Sequence, residues 1–254
     1  MSVGSRGVLG VLGVVGTATD GVETLRTGLV EPALALGWQV AVTLTPNAGR
    51  WLSANGELER LEAVTGLPVR DTPRLPTEPR PHPVADCFVV APASANFVAK
   101  LATGIADNQA LTQVGEALGT IGVPVVLFPR VNAAHARHPA WEQHINALRI
   151  AGADLVHGPS VWPLYEPREG PADRELPWSA ILETLTRAVR SPTRRPAPSR
   201  LAPPAPQTPE RPVRGPGHPP TGPGMHRIGL HGGPAVRCGQ VMALVCLSCA
   251  FHAV

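Results

Sequence analysis

One stretch limits what this chain can become: Asp86 to Asn108, DCFVVAPASANFVAKLATGIADN. It opens on Cys87-Phe88-Val89-Val90-Ala91, an apolar and partly β-branched run of strand length. Pro92 lacks the N–H that a sheet ladder needs, so the strand is expected to stop there. Ala93-Ser94-Ala95-Asn96 follow, small and polar, and then Phe97, Leu101 and Ile105 recur at the spacing of one helix face. The stretch thus reads as strand, tight turn and helix. In an open α/β sheet, ligands bind beyond the carboxyl ends of strands. Two readings of the turn stay open on spacing alone. Small side chains let backbone N–H groups approach a ligand, with Ser94 and Asn96 adding polar groups. Alternatively Ser94 simply caps the helix.

The same grammar runs along residues 7–190. GVLGVLGVV at 7–15 reads as a buried first strand, and Gly16-Thr17-Ala18-Thr19-Asp20-Gly21 as a turn of small and hydroxyl residues. A helix near Val22 to Leu36 places Leu25, Leu29, Ala33 and Leu36 on one side, with Pro32 expected to kink or break it. Gln39 to Thr45 is a second strand, closed by Thr45-Pro46-Asn47-Ala48 and followed by helical pieces toward Ala54 and around Leu58, Leu61 and Val64. Residues 66–84 carry Pro68, Pro73, Pro76, Pro79, Pro81 and Pro83 and read as a loop with a short strand at Pro68–Arg70. After the opening stretch come a helix from Gln109 to Leu118, a strand from Val123 to Phe128 ending in Pro129-Arg130-Val131-Asn132, and a helix from His138 to Ala151. A short strand at Asp154–His157, an irregular loop at 158–175 and an amphipathic helix from Pro177 to Val189 complete the pattern. Strands that alternate with helices imply a doubly wound parallel sheet, Rossmann- or flavodoxin-like, in a single domain.

Beyond Ser191 the pattern collapses. Pro (30) and Gly (26) are well above ordinary usage, and residues 191–224 are dominated by Pro, Arg and Gly. Such a segment cannot bury enough apolar surface to offset the entropy of ordering. Residues 1–190 are therefore expected to be the folded domain and 191–254 a disordered tail. Charge is nearly balanced, +3 from 22 basic and 19 acidic residues, and no tryptophan interleaves with a basic stripe, which argues against nucleic acid as a partner. The start carries only Arg6 before a Gly/Val-rich run, a poor signal peptide. Val241 to Val254 is apolar but shorter than the roughly 20 residues a membrane span needs. Cys87, Cys238, Cys246 and Cys249 form no disulfide framework, which fits a reducing, cytoplasmic setting.

Few residues suggest acid–base or metal chemistry. His135 and His138 lack a third ligand at a supporting spacing and read as a solvated pair, so no metal is expected. No G-x-S-x-G elbow or GK[ST] phosphate loop occurs. Cys87 lies inside a strand and reads as packing. What the sequence offers instead is convergence. The Gly16–Gly21 turn, Thr45-Pro46-Asn47, Ala91–Asn96 and Pro129–Asn132 all follow strands and would line one sheet edge with hydroxyl, amide and backbone donors. That set suits a phosphate-bearing cofactor with a polar ring edge.

At this point APASANFVAKLATGIADN resembles the signature of the homo-oligomeric flavin-containing cysteine decarboxylases, the family of phosphopantothenoylcysteine decarboxylase and the lantibiotic peptide decarboxylases. GVLGVLGVVGTATDG and VAVTLTPNAGRWL resemble its first two strands, and Pro129-Arg130-Val131-Asn132 falls at its proline–x–methionine–asparagine turn. The resemblance implies FMN, a homotrimer or higher homo-oligomer, and a small-molecule or peptide substrate with a carboxylate. By position it implies that Gly16, Thr17, Thr19 and Thr45 meet the phosphate side. Ala91, Pro92, Ala93, Ser94 and Asn96 would line the flavin, and Asp107 and Asn108 would lie near the ring or a neighbouring subunit. His82 and Asn132 are then the catalytic candidates, His82 as base and Asn132 holding a carboxylate. The chain departs from the family at four places. Its only nearby histidine is His82, just before Asp86; Val131 replaces the methionine; Ala134-His135 or His135-Ala136 replaces the next methionine–tryptophan pair; and the clamp region, His157 to Asp173, has no cysteine. The expectation is an FMN-binding flavoprotein, a divergent oxidative decarboxylase or related oxidoreductase. The alternatives are a non-catalytic or regulatory subunit of the same fold, and a nucleotide-binding α/β protein without flavin.

Overall fold

The computed structural model describes residues 9–170 and 174–190. The disorder expected of 191–254, and the first residues of the expected opening strand, lie outside the described residues. In chain order, β1 (Gly10–Gly16) leads into a helical stretch from Val22 that ends in α1 (Glu31–Leu36). Then come β2 (Trp38–Leu44), α2 (Pro46–Ala54), α3 (Glu57–Thr65), β3 (Cys87–Ala93), α4 (Ala95–Ala102) and α5 (Gln109–Gly119). The chain continues through β4 (Val125–Pro129), α6 (Ala133–Ala136), α7 (Trp141–Ile150), β5 (Asp154–Leu155) and α8 (Trp178–Arg190). The five strands form one sheet in the order β2-β1-β3-β4-β5, and every pairing is parallel. This is the doubly wound sheet that the alternating pattern implies.

The two-residue period of the strands builds two apolar layers. Leu12, Val14, Val89, Ala91, Val126 and Phe128 point into one, with the helix from Val22, α2, α3 and α8. Val15, Val90, Val125 and Leu127 point into the other, with α4, α5 and α7. Buried on both faces, the strands read as apolar runs rather than as alternating ones. Two separate cores on one sheet hold its strand ends in fixed relation, which is what a site at those ends needs.

Several boundaries differ from the expectation, each for a local reason. The third strand runs through Pro92 to Ala93, with a cis Ala91–Pro92 peptide. Its register to β4 shifts between Val90, opposite Leu127, and Ala93, opposite Pro129, so the proline sits at an irregularity where no ladder bond is missed. The expected helix at 22–36 is in three pieces: a 3₁₀ turn at Val22–Thr24, a wide π turn at Arg26–Val30, and α1. Pro32 lacks an N–H and would crowd the carbonyl of Gly28, and the wide turn stands just ahead of it. Leu25, Leu29 and Ala33 are buried as their spacing implies, but Leu36, next to Gly37 where the helix closes, is 50% exposed. Likewise α4 ends at Ala102, where the Thr103 hydroxyl donates back to Ala99 O (2.9 Å), so Ile105 lies beyond the helix and is exposed. The helix expected from His138 starts at Trp141, and the short α6 precedes it. The Pro-rich loop pairs with the sheet at Arg70, which bridges to Thr43.

The C-terminal helix is keyed to the first one by a missing side chain. A Cβ on Gly28 would lie 2.2 Å from Cδ1 and Nε1 of the Trp178 indole. A rigid ring cannot step aside as a flexible chain end does, so Gly28→Ala is expected to destabilise the fold by about 1–3 kcal/mol. In a Trp178→Ala background the same change should cost little. Urea denaturation of the four proteins measures both, and equal costs in the two backgrounds would contradict the packing account.

Candidate functional site

Strand order reverses between β1 and β3, because the chain leaves β1 for β2 on one side and returns to β3 on the other. The crevice at the carboxyl ends of these two strands is where an open sheet takes a ligand. Thr17, at the end of β1, closes its floor. Its hydroxyl donates to Pro92 O (2.8 Å) and accepts from Ser94 N (2.9 Å), and its own N–H donates to Pro92 O at 3.3 Å. The residue is 1% exposed.

Above that floor, three helices begin at the strand ends or border the cleft, each with its own capping side chain. Ser94 Oγ accepts from Phe97 N (3.3 Å) at the start of α4. Asn108 Oδ1 accepts from Leu111 N (3.0 Å) at the start of α5, and Asn132 Oδ1 accepts from His135 N (2.9 Å) at the start of α6. The helix α2 is different: Thr45 stands at its N-cap without a side-chain bond, and Pro46 opens it. The first N–H bonded within it is that of Gly49, to Thr45 O (2.9 Å). The N–H groups of Asn47 and Ala48 therefore have no helical partner, and an anion is favoured there.

These elements border a cleft of about 1320 Å³. Thr19, Thr45, Ser94, Asn96, Asp107, Asn108 and Asn132 of the expected residues line it. Gly16, Thr17, Ala91, Pro92 and Ala93 do not: they are buried beneath the lining, within the strands and their first turn residue. His82 is elsewhere. Its Nε2 lies 2.6 Å from Pro68 O, and it borders a separate cavity of about 450 Å³ with Arg70, Phe88 and Gln113. Within one chain the structure does not bring His82 and Asn132 together.

The caps settle how the amides point. With Oδ1 of Asn132 occupied by a backbone N–H, its NH₂ is left as a donor at the cleft. The Asn108 NH₂ is used on Asp107 Oδ1 (3.1 Å), whose other oxygen pairs with Lys100. Residues that spacing did not single out also line the cleft: Asp20, Arg130, Trp162, Tyr165 and Arg174. Arg130 stands in a turn already noticed, but its side-chain direction was not legible. Trp162, Tyr165 and Arg174 lie in an irregular loop without periodicity. Burial lowers the pKa of the Arg130 guanidinium, while Asp20 opposes that shift. Among the described residues no thiol lines the cleft; Cys87 is buried in β3, where burial, and then the Asp86 charge, push it up to about 12. Among the described residues no group of three or more His, Cys, Asp or Glu gathers as a metal set, and no helix is long and apolar enough to cross a membrane.

A family model described as Flavoprotein matches residues 13–190. The Coenzyme A biosynthesis bifunctional protein CoaBC of Bacillus subtilis (strain 168) is 32% identical over 144 residues, 56% of this chain and 32% of that protein. A Cysteine/Cysteine sulfinic acid decarboxylase from an unknown prokaryotic organism is 33% identical over 72 residues, 28% of this chain and 19% of that protein. The chain thus spans a third or less of the length of these curated relatives. Among solved structures, HAL3 from Cryptococcus neoformans superposes with a TM-score of 0.51 at 18% identity, covering 71% of this chain and 96% of that one, a likeness in fold.

Thr17→Val keeps the shape and removes the hydroxyl that serves both strand ends. It leaves the Ser94 N–H without its partner, at an expected cost of about 1–3 kcal/mol. Thr17→Ser should recover most of it. Thermal or urea unfolding reads the difference, and a valine variant as stable as the parent would remove Thr17 from this role.

Proposed function

The chain belongs to the flavoprotein family, and on that premise we propose that it binds FMN in the cleft between the ends of β1 and β3. We further propose that it oxidatively decarboxylates a cysteine-derived small molecule or peptide. The domain that does this is residues 1–190, acting in the cytoplasm as a homotrimer or higher homo-oligomer. The donor set fits the group. Thr19, Thr45 and the open N-terminus of α2 suit its phosphate, and Asn96 and Phe97 offer a polar edge and an apolar wall for a ring system. FMN, when bound, supplies a two-electron acceptor.

The observation that carries the reading is Asn132. Its oxygen is tied to the α6 backbone and its NH₂ is left facing the cleft, so it is a fixed donor for a substrate carboxylate. Holding that group as the anion keeps it poised to leave as CO₂. A base role for His82 requires a second copy of the chain to bring the Pro-rich loop to this cleft, which fits the proposed oligomer. The second reading, a non-catalytic or regulatory flavoprotein subunit, draws on a specific feature: residues 157–173 contain no cysteine, and the thiol of Cys87 is buried in β3.

Asn132→Asp tests the carboxylate role, because aspartate still caps α6 but presents negative charge to a carboxylate. With FMN reconstituted, the parent is expected to release CO₂ from C-terminal cysteine peptides or cysteine-derived acids. The aspartate variant should hold FMN equally well and lose at least tenfold in kcat/KM. His82→Asn should likewise retain FMN and lose turnover. No CO₂ release by the FMN-loaded parent would favour the non-catalytic reading, and an aspartate variant as active as the parent would remove Asn132 from carboxylate binding.

A further inference from the structure

Two arginines in the cleft are held in place without being neutralised. Trp162, 6% exposed, packs edge-on against Phe128 of β4, with ring centroids 5.8 Å apart and planes at 83°. On this fixed indole rest two guanidiniums, Arg174 with Cζ 3.4 Å from the ring centroid and Arg130 with Cζ 4.7 Å from it. Cation–π contact explains why each guanidinium stays there. It does not explain why two like charges share one ring.

The pairing of charge in the cleft makes the contrast plain. Lys100 pairs with Asp107, and Arg137 with Glu166. Arg130 reaches only Asp20, Nη2 to Oδ2 at 3.5 Å, and that carboxylate is 86% exposed, where an ion pair counts for little. The Nε of Arg130 is buried and has no partner, although buried donors are almost always paired. Arg174 spends Nη1 on the Pro163 carbonyl (2.8 Å), a neutral acceptor. Each guanidinium carries five N–H donors in a planar fork that matches a carboxylate or phosphate. A purely structural pair would bring a carboxylate within close reach. A pair that waits for an anion would look as this one does, because a bridging anion relieves the repulsion and satisfies the spare donors together.

Arg130 stands two residues before Asn132 in the same turn, and both border the cleft. We propose that Arg130 and Arg174, seated on Trp162, form a subsite for a second anionic group of the substrate, a carboxylate or a phosphate. This deepens the reading above and rests on it for the position of the reacting carboxylate. The substrate class is then a molecule with two acidic groups, one at Asn132 and one at the arginines. A cysteine derivative with a single carboxylate would use only half of the site.

Isothermal titration of the full chain, with and without saturating FMN, tests this with inorganic phosphate and with succinate as probes. The parent should bind at least one probe saturably, and FMN should leave that binding in place. Arg130→Gln, the charge-keeping Arg130→Lys, and Arg174→Gln should each weaken it at least tenfold. Arg149→Gln, at an exposed position of α7, should not change it. Tighter phosphate binding assigns a phosphorylated substrate, and tighter succinate binding a diacid. Absence of saturable binding, or binding unchanged in Arg174→Gln and Arg130→Lys, would overturn the subsite. Arginine-dependent probe binding that FMN abolishes would give the arginines to the cofactor phosphate and overturn the substrate assignment. The flavin-free titration reports on the subsite even if the chain takes up no FMN, so the two readings fail separately.

Discussion

The site depends on one hydroxyl. Thr17 Oγ1, between the carboxyl ends of β1 and β3, donates to Pro92 O and accepts from Ser94 N, and almost none of the residue reaches solvent. Strands that part at a switch point leave backbone groups that no ladder can pair, and those groups must find partners elsewhere. A β-hydroxyl serves as donor and acceptor at once, and here it satisfies a carbonyl and an N–H on the neighbouring strand. The turn after β1 and the start of α4 are thereby held to each other. Everything above them, the α2 terminus and the three capping residues included, takes its position from that joint.

The same bonding separates residues that build the cleft from residues that face it. Thr17 is consumed below, and the Ser94 hydroxyl is spent on its own helix. The oxygens of Asn108 and Asn132 are spent in the same way, and of these two only Asn132 keeps its NH₂ for the cleft. What remains for a ligand is a short set: Thr19, Thr45, the first N–H groups of α2, Asn96 and the Asn132 amide. They are mainly neutral donors, suited to a phosphate and a polar ring edge. Arg130 and Arg174 sit around Trp162, just beyond β4 and in the segment that follows β5. In the proposed reading, cofactor and substrate draw on different chemistry in one cleft.

Much of this was legible in the sequence, because a doubly buried parallel strand must be an apolar run of restricted length. Each strand end was named from such a run, and polar turn residues at four of those ends pointed to one edge. Other features were hidden for physical reasons. Whether Pro92 ends a strand depends on the register of β4, which is a tertiary fact. Leu36 and Ile105 fit a helical stripe, but Gly37 and Thr103 close the helices at or before them. Thr17 and Thr19 look alike in sequence, and only the three-dimensional joint decides that one is buried and the other borders the cleft. Trp162 and Arg174 carry no periodic signal at all. His82 was assigned by its closeness to Asp86 along the chain, yet the Pro-rich loop carries it to another cavity, against Pro68.

In the proposed flavin nucleotide site, the open terminus of α2, with Thr19 and Thr45, takes the phosphate. Quenching of flavin fluorescence, titrated in parallel with FMN and with riboflavin, tests it most directly. Saturable binding of one FMN per chain is expected, with riboflavin weaker by at least tenfold because it lacks the phosphate. Absence of saturable quenching by FMN, or equal affinity for the two flavins, would contradict it.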